Sequence, residues 1–344
     1  MADPKKRVLI LHTGGTLGML GGDPSPLLPE PDSDALRRAL LSRLPELRDI
    51  AQVEVEILAR QDSCDVTGAQ WLAWAERIRS DRWADGIVLI HGTDTMAYSA
   101  SALSFLLPER RCPVVVTGSQ RPLAAVRSDA RQNLVDSVIV ACGPVPEVMV
   151  CFHSLALRGN RTLKRSSNSM GAMGAFESPS CAPLCTLGVD ISWGDHALRT
   201  AGAPLRLQLG SAVRLSWVLP DLPAPLPWQP GEPAVHVLGA LGAGNFPLHG
   251  GWIELVQRES QSGVTHLVVS QCPHGGVRPG LYESSQMLVD AGAVYGADLT
   301  YAAAIAKARV ALGQDYTRAA LRAYLCHGVA GELTEANLPF SQLG

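Results

Sequence analysis

Aromatic residues are scarce in this chain, with Phe, Tyr and Trp together making up only 5% of it. Charge is sparse too: 18% of residues are Asp, Glu, Lys or Arg, and they nearly cancel to a formal −3. With no basic stripe to follow a phosphate backbone, nucleic acid is not expected as a partner. The one dense basic stretch runs only from Arg158 to Arg165. Also missing is any unbroken apolar run of the ~18 residues that would span a bilayer. After Lys5-Lys6-Arg7 only Val8-Leu9-Ile10-Leu11 precede His12, too short a stretch for a signal-peptide core. No membrane association is expected, and the cytoplasm is the expected location. The cysteines, at 64, 112, 142, 151, 181, 185, 272 and 326, follow no disulfide framework and read as reduced thiols. Cys181 and Cys185 with His196 offer three ligands at a spacing that fits no common zinc site.

What is present is enough apolar material for a sizeable core: 47% of 344 residues, at a mean hydropathy of +0.11. That length favours two domains. Short apolar runs at Val8–Leu11, Gly86–Ile90, Val114–Val116 and Val148–Cys151 read as buried strands. Val53–Leu58 alternates apolar and acidic residues and reads as a half-covered or edge strand. Helical patterns lie between them at Ser33–Leu44, Gly68–Arg79, Thr95–Leu107 and Ser128–Ala141. Strands alternating with helices predict an α/β domain with a mostly parallel sheet. The proline-dense stretch from Leu219 to Pro233 excludes helix and central strand and reads as a linker. Beyond it, strands at Val235–Leu238 and His266–Ser270 alternate with helices at Gly251–Ser262, Ser284–Ala291 and Tyr301–Gly313. The expected division is a larger catalytic domain over 1–218, a linker over 219–234, and a smaller α/β domain over 235–344.

Ligands of an open parallel sheet bind beyond the carboxyl ends of its strands. Four consecutive strand ends here are rich in hydroxyls, carboxylates and glycines. They are Thr13-Gly14-Gly15-Thr16, Gln61-Asp62-Ser63, His91-Gly92-Thr93-Asp94-Thr95 and Thr117-Gly118-Ser119-Gln120. A dinucleotide site would need Gly-x-Gly-x-x-Gly opening directly into a helix. Here Gly18 leads instead into a glycine- and proline-rich stretch to Pro31 that suits a lid. Helix capping accounts for Thr93 or Asp94 singly, but not for the whole His91–Thr95 set facing a second Gly-Gly-Thr turn.

Thr13-Gly14-Gly15-Thr16 and His91-Gly92-Thr93-Asp94-Thr95-Met96 resemble the two signature motifs of the L-asparaginase family. Arg158-Gly159-Asn160-Arg161-Thr162-Leu163-Lys164 and Phe176-Glu177-Ser178-Pro179 are similar to its type I, bacterial-cytoplasmic branch. Gly242-Ala243-Gly244-Asn245 and Gly296-Ala297-Asp298-Leu299-Thr300 are similar to it as well. The resemblance runs from about Arg7 to near the C-terminus. It implies two α/β domains, the smaller C-terminal one flavodoxin-like. The implied reaction is hydrolysis of the side-chain amide of L-asparagine through a threonine acyl-enzyme, with glutamine a weaker substrate. No metal or organic cofactor is implied.

Carried over by position, the resemblance makes Thr16 the nucleophile, with Thr93, Asp94 and Lys164 as a second catalytic cluster. Physical chemistry agrees, since a threonine hydroxyl needs a proton acceptor. A lysine serves once burial and neighbouring cations, here Arg161 and Arg165, disfavour its charge. On its own Lys164 would read as a solvated basic surface. Asp62 and Ser63 match the substrate-holding pair, Asp94 suits the α-ammonium, and Ser119 matches a contact to the leaving amide. Backbone N–H groups at the Gly15-Thr16 and Gly92-Thr93 turns are oxyanion candidates. Asn245 matches a residue that family members donate across a subunit interface, so a homodimer or homotetramer is expected. The sequence departs from the family twice. The lid Leu17–Glu30 lacks the tyrosine common there, and Leu163 stands where a threonine is common in members with a regulatory asparagine site. Tyr282 and Glu283 are candidates to reach the site from a partner and replace the lid hydroxyl; ordinary helix-edge packing is the plainer reading of Tyr282. Two other functions compete. The archaeal tRNA-dependent amidotransferase subunit usually carries an extra domain ahead of the Gly-Gly-Thr strand, for which no room is expected here. A non-catalytic amino-acid sensor would not need Thr16, Thr93, Asp94 and Lys164 together.

Overall fold

The computed structural model describes residues 4–22, 25–175, 181–198 and 204–334. The Phe176–Pro179 motif lies outside the described residues. The chain forms two compact units that divide between Pro204 and Leu205.

The first unit starts with β1 (Arg7–Gly14), β2 (Met19–Gly22), β3 (Ser25–Pro29), α1 (Ser33–Arg43), α2 (Leu47–Ile50) and β4 (Gln52–Gln61). It continues with α3 (Gly68–Ser80), β5 (Gly86–Ile90), α4 (Met96–Leu106), β6 (Val114–Thr117), α5 (Ala130–Ala141) and β7 (Val148–Phe152). Short strands follow: β8 (Leu155–Arg158), β9 (Thr162–Lys164), β10 (Met173–Ala175), β11 (Cys185–Leu187) and β12 (Ile191–Trp193). The main sheet has the order β12-β11-β8-β7-β6-β5-β1-β4. It is parallel from β4 to β7 and antiparallel beyond. The residues of β5, β6 and β7 are buried throughout, as parallel strands covered on both faces must be. As its alternation predicts, β4 lies at the sheet edge. Leu36 and Leu40 of α1, Leu47 of α2 and Leu134 and Val138 of α5 close one core against Val8, Ile10, Val88 and Val115. On strand periodicity the neighbouring residues face the other layer, where α4 packs on β6 and β7 and α3 packs on α4. The stretch read as a lid is, where described, the hairpin β2–β3.

The second unit contains β13 (Val213–Trp217), β14 (Ala234–Ala240), α6 (Trp252–Gln261), β15 (Val264–Ser270), α7 (Glu283–Asp290), β16 (Val294–Tyr295), α8 (Tyr301–Leu312) and α9 (Arg318–Cys326). Its sheet runs β13-β14-β15-β16, all parallel. Trp252, Leu255 and Val256 of α6 and Leu288 of α7 cover one face of it, while α8 and α9 contact the sheet and each other. The α/β layering is the expected one; the strand order is sequential, without the reversal of a flavodoxin sheet.

The boundary differs from the expectation. β13 precedes the proline stretch yet pairs with β14 from Val213↔Val235 to Trp217↔Gly239. Residues 219–233 are thus the crossover between two parallel neighbours, not a linker between domains. They are pinned within the unit by the Ala224 N–H to the Gly250 carbonyl at 2.7 Å and the Trp228 N–H to Glu259 Oε1 at 2.8 Å.

Candidate active site

β1, β4 and β5 end side by side, and their glycines let the turns touch. Gly14 has φ +124° and Gly15 φ +84°, a region that side chains disfavour. A Cβ on Gly15 would lie 2.4 Å from the backbone nitrogen of Gly92, and one on Gly92 would lie 2.7 Å from Ser63 Oγ. Thr16 and Thr93, the chain neighbours of these glycines, therefore come together through backbone contact, with the Ser63 side chain against Gly92. Thr13 Oγ1 donates to the Ile90 carbonyl at 2.8 Å, tying β1 to β5. Thr95 Oγ1 donates to the Ser63 carbonyl at 2.7 Å, tying the turn after β5 to the turn after β4.

Thr16 is half-buried in a single 3₁₀ turn, Thr16–Gly18, closed by the Gly18 N–H to the Gly15 carbonyl at 3.2 Å. Its hydroxyl makes no hydrogen bond among the described residues. The hairpin β9–β10 pairs Lys164 with Met173 and delivers the ammonium to the turn after β5. Lys164 Nζ donates to Thr93 Oγ1 at 2.8 Å and to Asp94 Oδ1 at 2.6 Å. Thr93 is 6% exposed, the Lys164 side chain 20% and the Asp94 side chain 57%, so the cluster opens toward solvent at the carboxylate. Arg161 is buried with its guanidinium on Cys181 Sγ, and Arg165 donates to the Ala175 carbonyl. Lys164 thus meets the Asp94 carboxylate as well as its flanking cations.

Asp62, Cys64 and Asp94 bring two carboxylates and a thiol within 4.8 Å of one another at the mouth of the site. The hydrogen bond from the Cys64 thiol to Asp62, then burial, then the charges of Asp62, Asp94 and Asp65 raise the thiol above its ordinary value. The field there is negative and suits an ammonium group. Ser63 is 3% exposed. Ser119 is also buried, and its hydroxyl donates to the Arg121 carbonyl at 2.6 Å.

One expectation changes. The Gly15 N–H is spent on the Gln61 carbonyl at 3.0 Å, because the bulged end of β1 still pairs with β4. It cannot serve an oxyanion. The N–H groups of Thr16 and Thr93 make no hydrogen bond among the described residues and remain as donors.

Below the turns, His91 is sealed: Nδ1 lies 2.6 Å from the Gly92 carbonyl, Nε2 2.9 Å from Ser99 Oγ, and Trp74 meets the ring edge-on. Burial drives it down to about 4, so it supports the turn as a neutral ring. Gln120 was read only as part of a polar strand end. Its Oε1 accepts from Thr93 Oγ1 at 3.0 Å, its Nε2 donates to the Ser167 carbonyl at 3.2 Å, and its backbone N–H donates to Asp129.

Asn245, Tyr282 and Glu283 lie together in the second unit. Asn245 Oδ1 accepts from the Phe246 N–H at 3.0 Å and from Ser284 Oγ at 2.7 Å. Tyr282 is the N-cap residue of α7, 44% exposed, and Glu283 opens the helix. The two other matched residues of this unit have structural work. Asp298 accepts from the backbone and hydroxyl of Thr334 at 2.7 and 2.6 Å, and Thr300 caps α8.

An uncommitted threonine hydroxyl, next in sequence to a turn packed against a lysine–threonine–carboxylate cluster, is the equipment of a hydrolase that works by nucleophilic attack. Comparison with known proteins agrees. The family model "Asparaginase, N-terminal" matches residues 7–199, and "Glutaminase/Asparaginase C-terminal domain" matches residues 233–325. The chain is 34% identical to L-asparaginase 1 of Escherichia coli over 96% of its own length and 98% of that protein. The structure of L-asparaginase I from Vibrio cholerae superposes with a TM-score of 0.82 at 28% identity, covering 96% of this chain and 99% of that one. That of the thermostable L-asparaginase from Thermococcus kodakarensis gives 0.82 at 25% identity, with 95% and 99% covered. The chain belongs to the asparaginase family.

Proposed function

We propose that this protein hydrolyses the side-chain amide of L-asparagine to L-aspartate and ammonia, with glutamine a weaker substrate. What supports this above all is the cluster of Lys164, Thr93 and Asp94 set against the turn that carries the free Thr16 hydroxyl. Thr16 Oγ attacks the amide carbon, and the N–H groups of Thr16 and Thr93 receive the developing oxyanion. Lys164, working with Thr93, takes the hydroxyl proton and returns it to the departing nitrogen, so the C–N bond breaks and ammonia leaves. Water then hydrolyses the ester by the same relay and frees Thr16. Asp62 and Asp94 hold the α-ammonium, Ser63 the α-carboxylate, and Ser119 lies at the leaving amide. One methylene separates asparagine from glutamine, worth only about 1–3 kcal/mol in a pocket. Thr16→Ala should lower kcat by several orders of magnitude with the fold intact. A variant that keeps about a tenth of wild-type kcat or more removes Thr16 as nucleophile.

A homo-oligomer, dimer or tetramer, with Asn245 entering a neighbour's site, belongs to the same proposal. With Oδ1 held inside its own unit, Asn245 offers its exposed amide N–H₂ as a donor, the right sense for a substrate carboxylate. Mixing Thr16→Ala with Asn245→Asp chains should restore activity through one intact shared site; no recovery after proven subunit exchange sinks the shared-site arrangement. Cytoplasmic location is proposed on the eight cysteines, which form no disulfide among the described residues. Among the described residues no helix is long and apolar enough to cross a membrane.

A further inference from the structure

Thr93 Oγ1 lies between two side chains of opposite hydrogen-bonding sense. Lys164 Nζ donates to it at 2.8 Å. Gln120, on its other side, is an amide whose orientation is fixed from elsewhere. Its Nε2 donates to the Ser167 carbonyl at 3.2 Å, an atom that can only accept, so Oε1 must face Thr93. The backbone of Gln120 is also held, its N–H donating to Asp129 Oδ1 and Oδ2 at 3.1 and 2.9 Å. Asp129 in turn accepts from the Arg121 N–H and from Asn133 Nδ2, so the carboxylate is itself braced.

A hydroxyl has one proton and two lone pairs. With its proton on Gln120 Oε1 and one lone pair on Lys164, Thr93 keeps one lone pair open. We infer that Gln120 is a positioning residue for the asparaginase reaction. It fixes the direction of the Thr93 hydrogen, so that the oxygen holds Lys164 Nζ by one lone pair and keeps the other for a hydrogen bond from substrate or water, while the transferred proton itself is taken by Lys164 in its uncharged form. This rests on the proposed activity. Gln120 also bridges the turn after β6 to Ser167, three residues beyond Lys164, and so sets Thr93 and Lys164 relative to each other through one side chain. Without it, the Thr93 hydroxyl is free to rotate through its staggered positions, and Lys164 meets a correctly aimed lone pair only part of the time.

The test is a double-mutant cycle on purified protein, reading ammonia release from asparagine. Gln120→Met should lower kcat about tenfold, the value of one well-placed hydrogen bond, and leave KM within about threefold. In a Thr93→Ala background the same substitution should cost less than about twofold, because the group it aims is gone. Gln120→Asn, whose shorter amide cannot reach Thr93, should repeat both results and stands in if the methionine variant fails to fold. An equal loss in both backgrounds shows Gln120 acting on the loop rather than through Thr93 and overturns the inference. So does a Gln120→Met enzyme with full kcat. A wild-type chain that releases no ammonia from asparagine or glutamine overturns the proposed activity and this role with it, whereas active wild type with an indifferent Gln120 overturns this role alone.

Discussion

Each unit holds a lysine–carboxylate pair, and the two pairs are used in opposite ways. Lys307 and Glu332 in the second unit are both 0% exposed. Lys307 Nζ spends its remaining donors on the Leu325 and His327 carbonyls, and Glu332 accepts from the Val329 and Ala330 N–H groups. Burial alone would raise the Glu332 carboxyl; the charge of Lys307 and its hydrogen bond hold it below its ordinary value. Every polar valence is satisfied by the protein, so this pair staples the segment after α9 onto α8. Lys164 and Asp94 are paired just as closely but lie open, with a hydroxyl between the lysine and Gln120 in place of carbonyls. An ion pair fixes structure when its valences are closed and can do chemistry when some are left open.

The largest separation should come from removing each lysine. Lys164→Met should lower kcat about a thousandfold or more with KM little changed. Its stability should stay within about 1 kcal/mol, because Asp94 returns to solvent. Raised KM with unchanged kcat would move Lys164 into the binding shell. Lys307→Met should do the reverse, costing about 3–5 kcal/mol of stability by stranding Glu332, with kcat per folded molecule unchanged. Denaturant unfolding together with ammonia release reads both; equal stability losses in the two variants would erase the contrast.

A smaller effect follows from the sealed histidines. Burial drives His12 and His91 from 6.5 down to about 4, and His266 is lowered by burial too. Their contribution to stability is complete above pH 6.5 and is lost as the pH falls from 6.5 toward about 4, since the unfolded chain takes up the protons first. The slope should reach about 1.4 kcal/mol per pH unit for each histidine. Burial would raise Glu259, but His236 and His266 bind it at 2.7 and 2.9 Å and hold it down to about 2. A further loss is therefore expected as the pH falls below 4.5 toward 2. Unfolding free energies that stay level from about pH 7.5 to about pH 4.5 would contradict the histidine part. The smallest effect is at Tyr282: as an exposed cap of α7, Tyr282→Phe should change kcat by less than about twofold, whereas a loss of about tenfold would place the hydroxyl in a site.

Much of this was legible from sequence because it depends on local chemistry. Apolar runs became β1, β5, β6 and β7, and the polar residues after β1, β4, β5 and β6 line the candidate site. What was not legible depends on partners distant in the chain. The resemblance grouped Lys164 with Asp94, but no physical signal near Lys164 points to a residue seventy positions earlier. The Gly15 N–H looked free because its partner, the Gln61 carbonyl, arrives from β4 through a bulge. Gln120 stood only as one residue of a polar strand end, since its meaning lies in Thr93 and Ser167. β13 was masked by the prolines after it, although Val213-Arg214-Leu215-Ser216-Trp217 alternates as a strand should. α9 carried a readable signal that was passed over: Thr317 as cap, followed by Leu321 and Leu325 four apart.

The contact between Gly15 and Gly92 also limits how the enzyme can be redesigned. These two positions behave as a single locus split between two distant codons. A methyl group at Gly15 enters the main chain at Gly92, where no second side-chain change can make room, and one at Gly92 strikes the Ser63 side chain and crowds the Gly15 Cα. Mutational libraries aimed at substrate preference should therefore leave both codons fixed and diversify the rim, where Cys64 faces solvent beside Asp62 and Asp94. A scan of all single substitutions should find positions 15 and 92 intolerant along with Gly14, Thr16 and Thr93 beside them, while Cys64 at the rim tolerates far more.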